Sequence, residues 1–198
     1  MNGELQVKSI MKWHSEPPQW SFEGTRIRVK TGKNTDFWRK TFYGFVRDNG
    51  HFLSQPATSD FTAEVSVSGK YEFLYDQAGL MLRVDERNWL KAGVEYTDGA
   101  MHFCVVITRD DYSDWSLVRL GDSARADFRI RLTRHAEALR VQYCESEKPW
   151  QLARLGHLPM PDEIQVGIMC CTPEREGFEV EFNNFTVGQA ISRKLHED

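Results

Sequence analysis

The stretch from Tyr75 to Thr108 constrains the fold more than any other, because two independent features of it select the same strand register. Ala78, Leu80, Leu82 and Val84 are apolar at every second position, the period of a strand with one face in a core. After the tight connection Asp85-Glu86-Arg87, Leu90, Ala92, Val94 and Tyr96 alternate with Trp89, Lys91, Gly93 and Glu95. Asp98-Gly99 then marks a hairpin, since a type I′ turn needs positive φ at both central residues and this pair tolerates it. A two-residue turn there sets Glu95 opposite His102, Gly93 opposite Cys104 and Lys91 opposite Val106. It also brings Val94 against Phe103 and Ala92 against Val105, whereas a one-residue slip would carry His102 into that apolar set.

Applied to the preceding hairpin, the same logic pairs Gln77 with Glu95, Gly79 with Gly93 and Met81 with Lys91. One face therefore carries a polar row of Gln77, Glu95 and His102, a nearly bare row of Gly79, Gly93 and Cys104, and a third row of Met81, Lys91 and Val106. Facing glycines have two readings, a trough in which a ligand approaches the backbone or a bend in a curved sheet. The pattern predicts a solvent-accessible groove lined by Gln77, Lys91, Glu95 and His102, with Leu80, Leu82, Val94, Phe103 and Val105 buried on the reverse face.

The rest of the chain reads as more short strands. Met11 to His14 is one, and Thr25 to Thr31 is an expected edge strand in which Ile27 and Val29 alternate with Arg26, Arg28 and Lys30. The aromatic-dense run Phe37, Trp38, Phe42, Tyr43, Phe45 is either a loop packing its rings under the fold or a platform for stacking sugars. Asp48-Asn49-Gly50 turns the chain into a strand that Pro56 is expected to end. Phe61 to Ser68 alternates cleanly, and a polar loop from Arg109 to Asp114 leads to a strand at Trp115 to Val118. Phe128 to Leu132 and Leu139 to Tyr143 form a hairpin closed near His135, followed by strands at Trp150 to Leu155, Ile164 to Cys170 and Phe178 to Val187, the last changing phase at Asn183-Asn184 as a bulge does. About a dozen strands without a convincing amphipathic helix make an all-β, two-sheet antiparallel jelly-roll sandwich, with residues 1–198 as a single domain.

Composition narrows the partners. The net charge of −4, without long basic runs, excludes nucleic acid and anionic membrane as main partners, both of which demand clustered Lys and Arg. The nearest cluster is Arg125, Arg129, Arg131 and Arg134, and because Arg129 and Arg131 alternate with Phe128, Ile130 and Leu132 it reads as the solvated face of a strand. Met1 to Met11 has no apolar run of signal-peptide length and no segment is long enough for a membrane helix, which predicts a cytoplasmic protein. Cys104, Cys144, Cys170 and Cys171 lack metal-finger spacing, so reduced thiols are expected and no metal or cofactor is assigned; a His102–Cys104 pair on one face lacks a third and fourth ligand.

Five ordered motifs, Thr35-Asp36-Phe37-Trp38, Tyr43-Gly44-Phe45, Asp76-Gln77-Ala78-Gly79-Leu80, Lys91-Ala92-Gly93-Val94-Glu95 and Ser113-Asp114-Trp115-Ser116, resemble the regulation-of-enolase-like family, related to the concanavalin A-like lectins and glucanases. The resemblance covers nearly the whole chain and implies a jelly roll of concanavalin A-like lectin/glucanase type, together with a yeast relative associated with control of enolase, but no established reaction. The related glucanases use two or three carboxylates at alternate positions of one strand. Here the corresponding strand offers Lys91, Gly93 and Glu95, so the second carboxylate of a retaining hydrolase is missing from it. Asp36, Asp76 and Asp114 remain as loop carboxylates that could approach Glu95.

Three functions follow as expectations. The first is binding of a carbohydrate or small polar ligand, with Asp76, Gln77, Lys91, Glu95 and His102 as polar contacts and Trp38, Trp89 or Trp115 stacking on a ring. For Lys91 and Glu95 the competing account is a plain salt bridge along one strand. The second is a glycoside hydrolase or lyase in which Glu95 is the catalytic acid or base and His102 tunes it. The third is a regulatory domain that contacts a metabolic enzyme through an aromatic patch such as Trp20 or Trp38.

Overall fold

A computed structural model describes residues 11–121, 128–146 and 148–195; Arg125 and residues 1–10 lie outside it. Every regular element among the described residues is a strand. In one sheet β1 (Lys12–His14), β6 (His51–Ala57), β16 (Ile164–Cys171), β8 (Gln77–Arg83), β9 (Trp89–Thr97) and β10 (Ala100–Arg109) lie side by side, and β11 (Tyr112–Ser113) and β12 (Ser116–Arg119) both pair with β10. The other runs β15 (Gln151–His157), β14 (Ala138–Glu145), β13 (Phe128–His135), β7 (Phe61–Gly69), β17 (Glu179–Gln189), β3 (Arg26–Lys30), β2 (Gln19–Glu23). All strand pairs in both sheets are antiparallel, giving the two-sheet jelly-roll sandwich. A short hairpin, β4 (Phe37–Arg39) with β5 (Val46–Asp48), belongs to neither sheet.

The central register is the one that alternation and turn select. Glu95 pairs with His102, Gly93 with Cys104 and Lys91 with Val106, while Gln77, Gly79 and Met81 meet Glu95, Gly93 and Lys91. Asp98 and Gly99 both have positive φ, as a type I′ turn requires. Leu80, Leu82, Val94, Phe103 and Val105 are buried in the core between the sheets, where they join Ile27, Val65, Ile130 and Phe182 of the opposite sheet. Phe103 bridges the layers, its ring 4.8 Å from Tyr143 and 5.6 Å from Phe128. The bulge in β17 is also present: pairing with β7 shifts between Asn183 and Thr186, and Asn184 has a φ of 54°.

Four expectations are corrected. The Thr25 to Thr31 segment is not an edge, because β2 pairs along its free side. Pro56 does not end its strand; β1 covers only Phe52–Ser54, so the proline sits where the outer flank of β6 needs no amide hydrogen. Arg134 is not solvated but buried, donating to the carbonyls of Ala136, Asp162 and Pro161, while Arg129 and Arg131 lie over the Trp150 ring. The glycine row is no trough. A Cβ on Gly79 would lie 2.1 Å from the Ala92 carbonyl oxygen and one on Gly93 2.2 Å from that of Ala78, so both glycines serve close approach of two strand backbones. Met169, paired with Gly79, and Cys104 close over them and leave no water-sized space.

Candidate functional site

The outer face of β8, β9 and β10 is covered rather than open. Phe37 of the β4–β5 hairpin is fully buried there, in a second apolar cluster with Phe52, Met81, Trp89, Cys104, Val106, Met169 and Cys171. The hairpin is fastened at both ends. At its start the Asp36 carbonyl accepts from the amides of Asn49 and Gly50, and Asn49 Oδ1 accepts from the Asp36 amide. At its tip Asp111 accepts from Arg39 Nε at 2.7 Å and Lys40 Nζ at 3.0 Å, with Arg87 beside it, and the hydrogen bonds and charges of these three cations hold its carboxyl down at about 2. The Arg39 amide donates to Ser113 Oγ, itself bonded to Thr108.

Beneath this roof Lys91 is 3% exposed, and each of its three ammonium hydrogens has a partner. Nζ donates to the Phe37 carbonyl at 2.7 Å, Gln77 Oε1 at 2.7 Å and Asp36 Oδ1 at 3.2 Å. Burial opposes the charge, yet the Asp36 carboxylate, ahead of Cys171, Cys104 and Glu95, holds the ammonium above the ordinary lysine value. The Lys91 ion pair is thus with Asp36, across from the hairpin, and not with Glu95 along the strand.

Glu95 is also 3% exposed, and its Oε1 has no hydrogen-bond partner. Burial pushes its carboxyl up to about 7, helped by the Asp36 charge; Lys91, the Cys104 thiol and the Trp115 side chain act in the opposite sense. The carboxyl stands in a cavity of about 160 Å³ with Asp36, Gln77, Lys91 and Val106, walled by Trp38, Tyr43, Phe45, Tyr75 and Trp115, with Pro173 and Glu174 at the margin. An engineered cavity of about 150 Å³ accommodates benzene, so this one has room for a single ring. On the hairpin side Tyr43 stacks on Phe45 at 5.3 Å with its edge to Trp38 at 5.8 Å; on the other side Tyr75 meets Trp115 edge-on at 6.4 Å. The neighbouring Tyr43 phenol, together with burial, pushes Tyr75 up to about 12. The hairpin tip turns through positive φ at Lys40, Phe42 and Gly44, which presents Tyr43 and Phe45 to the cavity and leaves Phe42 93% exposed. Within the aromatic run Phe37 packs against the sheet, while Trp38, Tyr43 and Phe45 line the cavity.

Of the residues singled out from the sequence, Gln77, Lys91, Glu95, Trp38 and Trp115 come together here, with Asp36 beside them. The groove is not solvent-accessible as expected, since Gln77, Lys91 and Glu95 are each under 5% exposed. Three residues stand elsewhere. His102 shares the face of Glu95 but lies outside the cavity lining, its Nδ1 3.2 Å from the Ala100 carbonyl oxygen of its own strand. Trp89 is fully buried under the hairpin and offers no ring to a ligand. Asp76 is fully buried and occupied: it accepts from Arg175 Nε at 3.0 Å, Thr172 Oγ1 at 2.7 Å and the Glu72 and Phe73 amides, which ties the β7–β8 connection to the end of β16. Asp114 also lies outside the cavity lining, accepting from the Ile107 amide and pairing with Arg154. Tyr75 and Glu174 are lining residues that the sequence does not suggest, whereas Tyr43 and Phe45 belong to the aromatic run. Tyr43 and Phe45 carry a signal, a glycine between two aromatics at a turn; Glu174 carries none, because β16 reaches the cavity only through the pairing of Cys171 with Gln77.

Comparison with known proteins agrees with this architecture. "Regulation of enolase protein 1" of Saccharomyces cerevisiae is 44% identical over 185 residues, covering 93% of this chain and 92% of that protein. The crystal structure of a functionally unknown protein from Saccharomyces cerevisiae, 44% identical, superposes with a TM-score of 0.88 over 93% of this chain and 98% of that one. At the level of fold alone, the carbohydrate binding module CBM66 from Bacillus subtilis gives a TM-score of 0.58 at 12% identity, over 91% of this chain and 97% of the module. The GH43 protein BlXynB from Bacillus licheniformis gives 0.70 at 15% identity over 87% of this chain, which corresponds to 35% of that larger protein. Residues 13–190 match the model of the protein family of unknown function DUF1349, and the chain belongs to that family.

Proposed function

We propose that this protein binds a carbohydrate or similar small polar ligand, one ring in size, in the cavity between the β4–β5 hairpin and the face of β8, β9 and β10. The observation that carries the reading is Glu95, a buried carboxyl with an unpartnered oxygen, standing in a cavity walled by five aromatic rings. A buried acceptor without a donor lacks about 1–3 kcal/mol that a ligand hydroxyl or amine would restore. Flat apolar walls with a few convergent polar groups are the usual make-up of small-molecule sites. Likeness in fold to a carbohydrate binding module supports the same class of ligand. Calorimetric titration of monosaccharides and their derivatives tests it: at least one binds, and Trp115→Ala abolishes the heat while leaving unfolding by urea within about 1 kcal/mol, as for a half-exposed residue. A panel without any binder overturns it.

A second reading, a carbohydrate-active enzyme, is favoured by one observation: of the carboxyls lining the cavity, Asp36 is paired with Lys91 while Glu95 is pushed up to about 7. Environments that separate two carboxyls in this way suit an acid and a base. Hydrolysis of an aryl glycoside, lost in Glu95→Gln, is the required result, and equal rates in both proteins exclude it. Through its relation to "Regulation of enolase protein 1", a regulatory contact with a metabolic enzyme in the cytoplasm fits the exposed ring of Phe42 at the hairpin tip.

A further inference from the structure

We propose that the cavity selects a protonated amine, a ring-sized ligand such as an amino sugar whose ammonium group donates to Glu95 between the aromatic walls. This rests on the reading of the cavity as a small-ligand site and names the charge of its ligand.

The first ground is the inventory of charged groups. Asp36, Glu95 and Glu174 line the cavity against one cation, Lys91. All three Lys91 hydrogens are taken by Asp36, Gln77 and the Phe37 carbonyl, so no charged donor is left for the phosphate or carboxylate of an anionic ligand. What the lining holds instead is the Glu95 carboxyl, whose buried Oε1 has no partner. The second ground is the wall. Trp38, Tyr43, Phe45, Tyr75 and Trp115 all line it, and a cation within about 6 Å of an aromatic face gains about 0.5–2 kcal/mol, more as water is excluded. A neutral sugar gains the stacking but not the charge.

The two grounds together separate kinds of cation. A quaternary ammonium satisfies the rings but has no N–H for Oε1, whereas a primary ammonium satisfies both. Glu95 is faced by Lys91 on its own strand, Asp36 ahead of the hairpin, Cys104 and His102 on β10, Cys171 at the end of β16, and Trp115 and Tyr75 from the walls. Within that set it is held partly protonated near neutrality, and an arriving cation completes its ionisation.

The test is calorimetric titration of the full chain at pH 7 and pH 8 with glucosamine, glucose, N-acetylglucosamine and choline. Glucosamine is expected to bind at least tenfold more tightly than glucose or N-acetylglucosamine, and more tightly than choline. Affinity per protonated amine is expected to rise from pH 7 to pH 8, and Glu95→Gln is expected to reduce the preference over glucose to twofold or less. Equal binding of glucose and glucosamine overturns the inference while leaving the cavity a carbohydrate site. Choline binding as tightly as glucosamine overturns the role given to Oε1, and no binding of any of the four, nor of any other sugar in the panel above, defeats the underlying reading itself. Because the comparison among ligands is made on the unaltered protein, it stands even if the variant folds poorly.

Discussion

Replacing Glu95 by Gln should remove a pH dependence of stability that the unaltered protein carries between pH 4.5 and pH 7. The carboxyl moves from its ordinary 4.5 in the unfolded chain to about 7 in the fold, because burial without a compensating donor on Oε1 disfavours the charged form. With about 1.4 kcal/mol for each pH unit of difference, ionising this group destabilises the fold by about 3 kcal/mol. Below pH 4.5 the group is protonated in both states and this loss is absent. Between 4.5 and 7 the unfolded chain releases the proton that the folded one retains, so stability falls as pH rises; above 7 both are ionised and the slope ends. Urea unfolding of both proteins at pH 4.5 and pH 8 reads the effect as a difference of differences, in which every other titration cancels. At a slope of about 2 kcal/mol per molar urea, the wild-type midpoint should drop by about 1.5 M more than the Gln variant's. Parallel shifts in the two proteins would refute the claim that Glu95 is buried without a full set of partners.

Lys91→Met leaves Asp36 without its cation and should cost about 3–5 kcal/mol, with Asp36→Asn in the same chain recovering part of it; a single-variant loss under about 1 kcal/mol would mean the pair is solvated. Gly93→Ala drives a methyl into the Ala78 carbonyl and should lose about 3 kcal/mol or more in urea unfolding, whereas Gly188→Ala, which meets nothing within 4 Å, should stay within about 0.5 kcal/mol; similar losses for both would refute the close backbone approach. Asp76→Ala frees Arg175, Thr172 and the amides of Glu72 and Phe73, so limited proteolysis should cut first between residues 70 and 76, and an unchanged first cut would place the anchor elsewhere.

The parts legible in the sequence are those set by near neighbours. Strand alternation and Asp98-Gly99 define the β8–β9–β10 face down to the residue pairs, because each strand is followed directly by its partner. What covers that face is not legible in the same way. Lys91 and Glu95 look like a wet charge pair until Phe37 and Asp36, more than fifty residues earlier, are seen to close over them. Asp76 and Trp89 have the chemistry of ligand contacts, and only tertiary position shows that one is absorbed by Arg175 and the other by the apolar cluster under the hairpin. Facing glycines likewise look alike in sequence whether they make room for a ligand or for another backbone; the carbonyls of Ala78 and Ala92 decide it.

The cavity has two kinds of wall, and they age differently. Its floor is written into β8, β9 and β10, where a single inserted residue would turn every core side chain outward, so Gln77, Lys91 and Glu95 can change only by substitution in place. Its roof hangs from neither sheet, held by Phe37 at one end and Asp111 at the other, and between those moorings residues 41–45 belong to no strand. That segment can lengthen, shorten or exchange its rings without disturbing the core. On the proposed binding function, rewriting those five residues would change what the cavity selects while leaving its floor as it is.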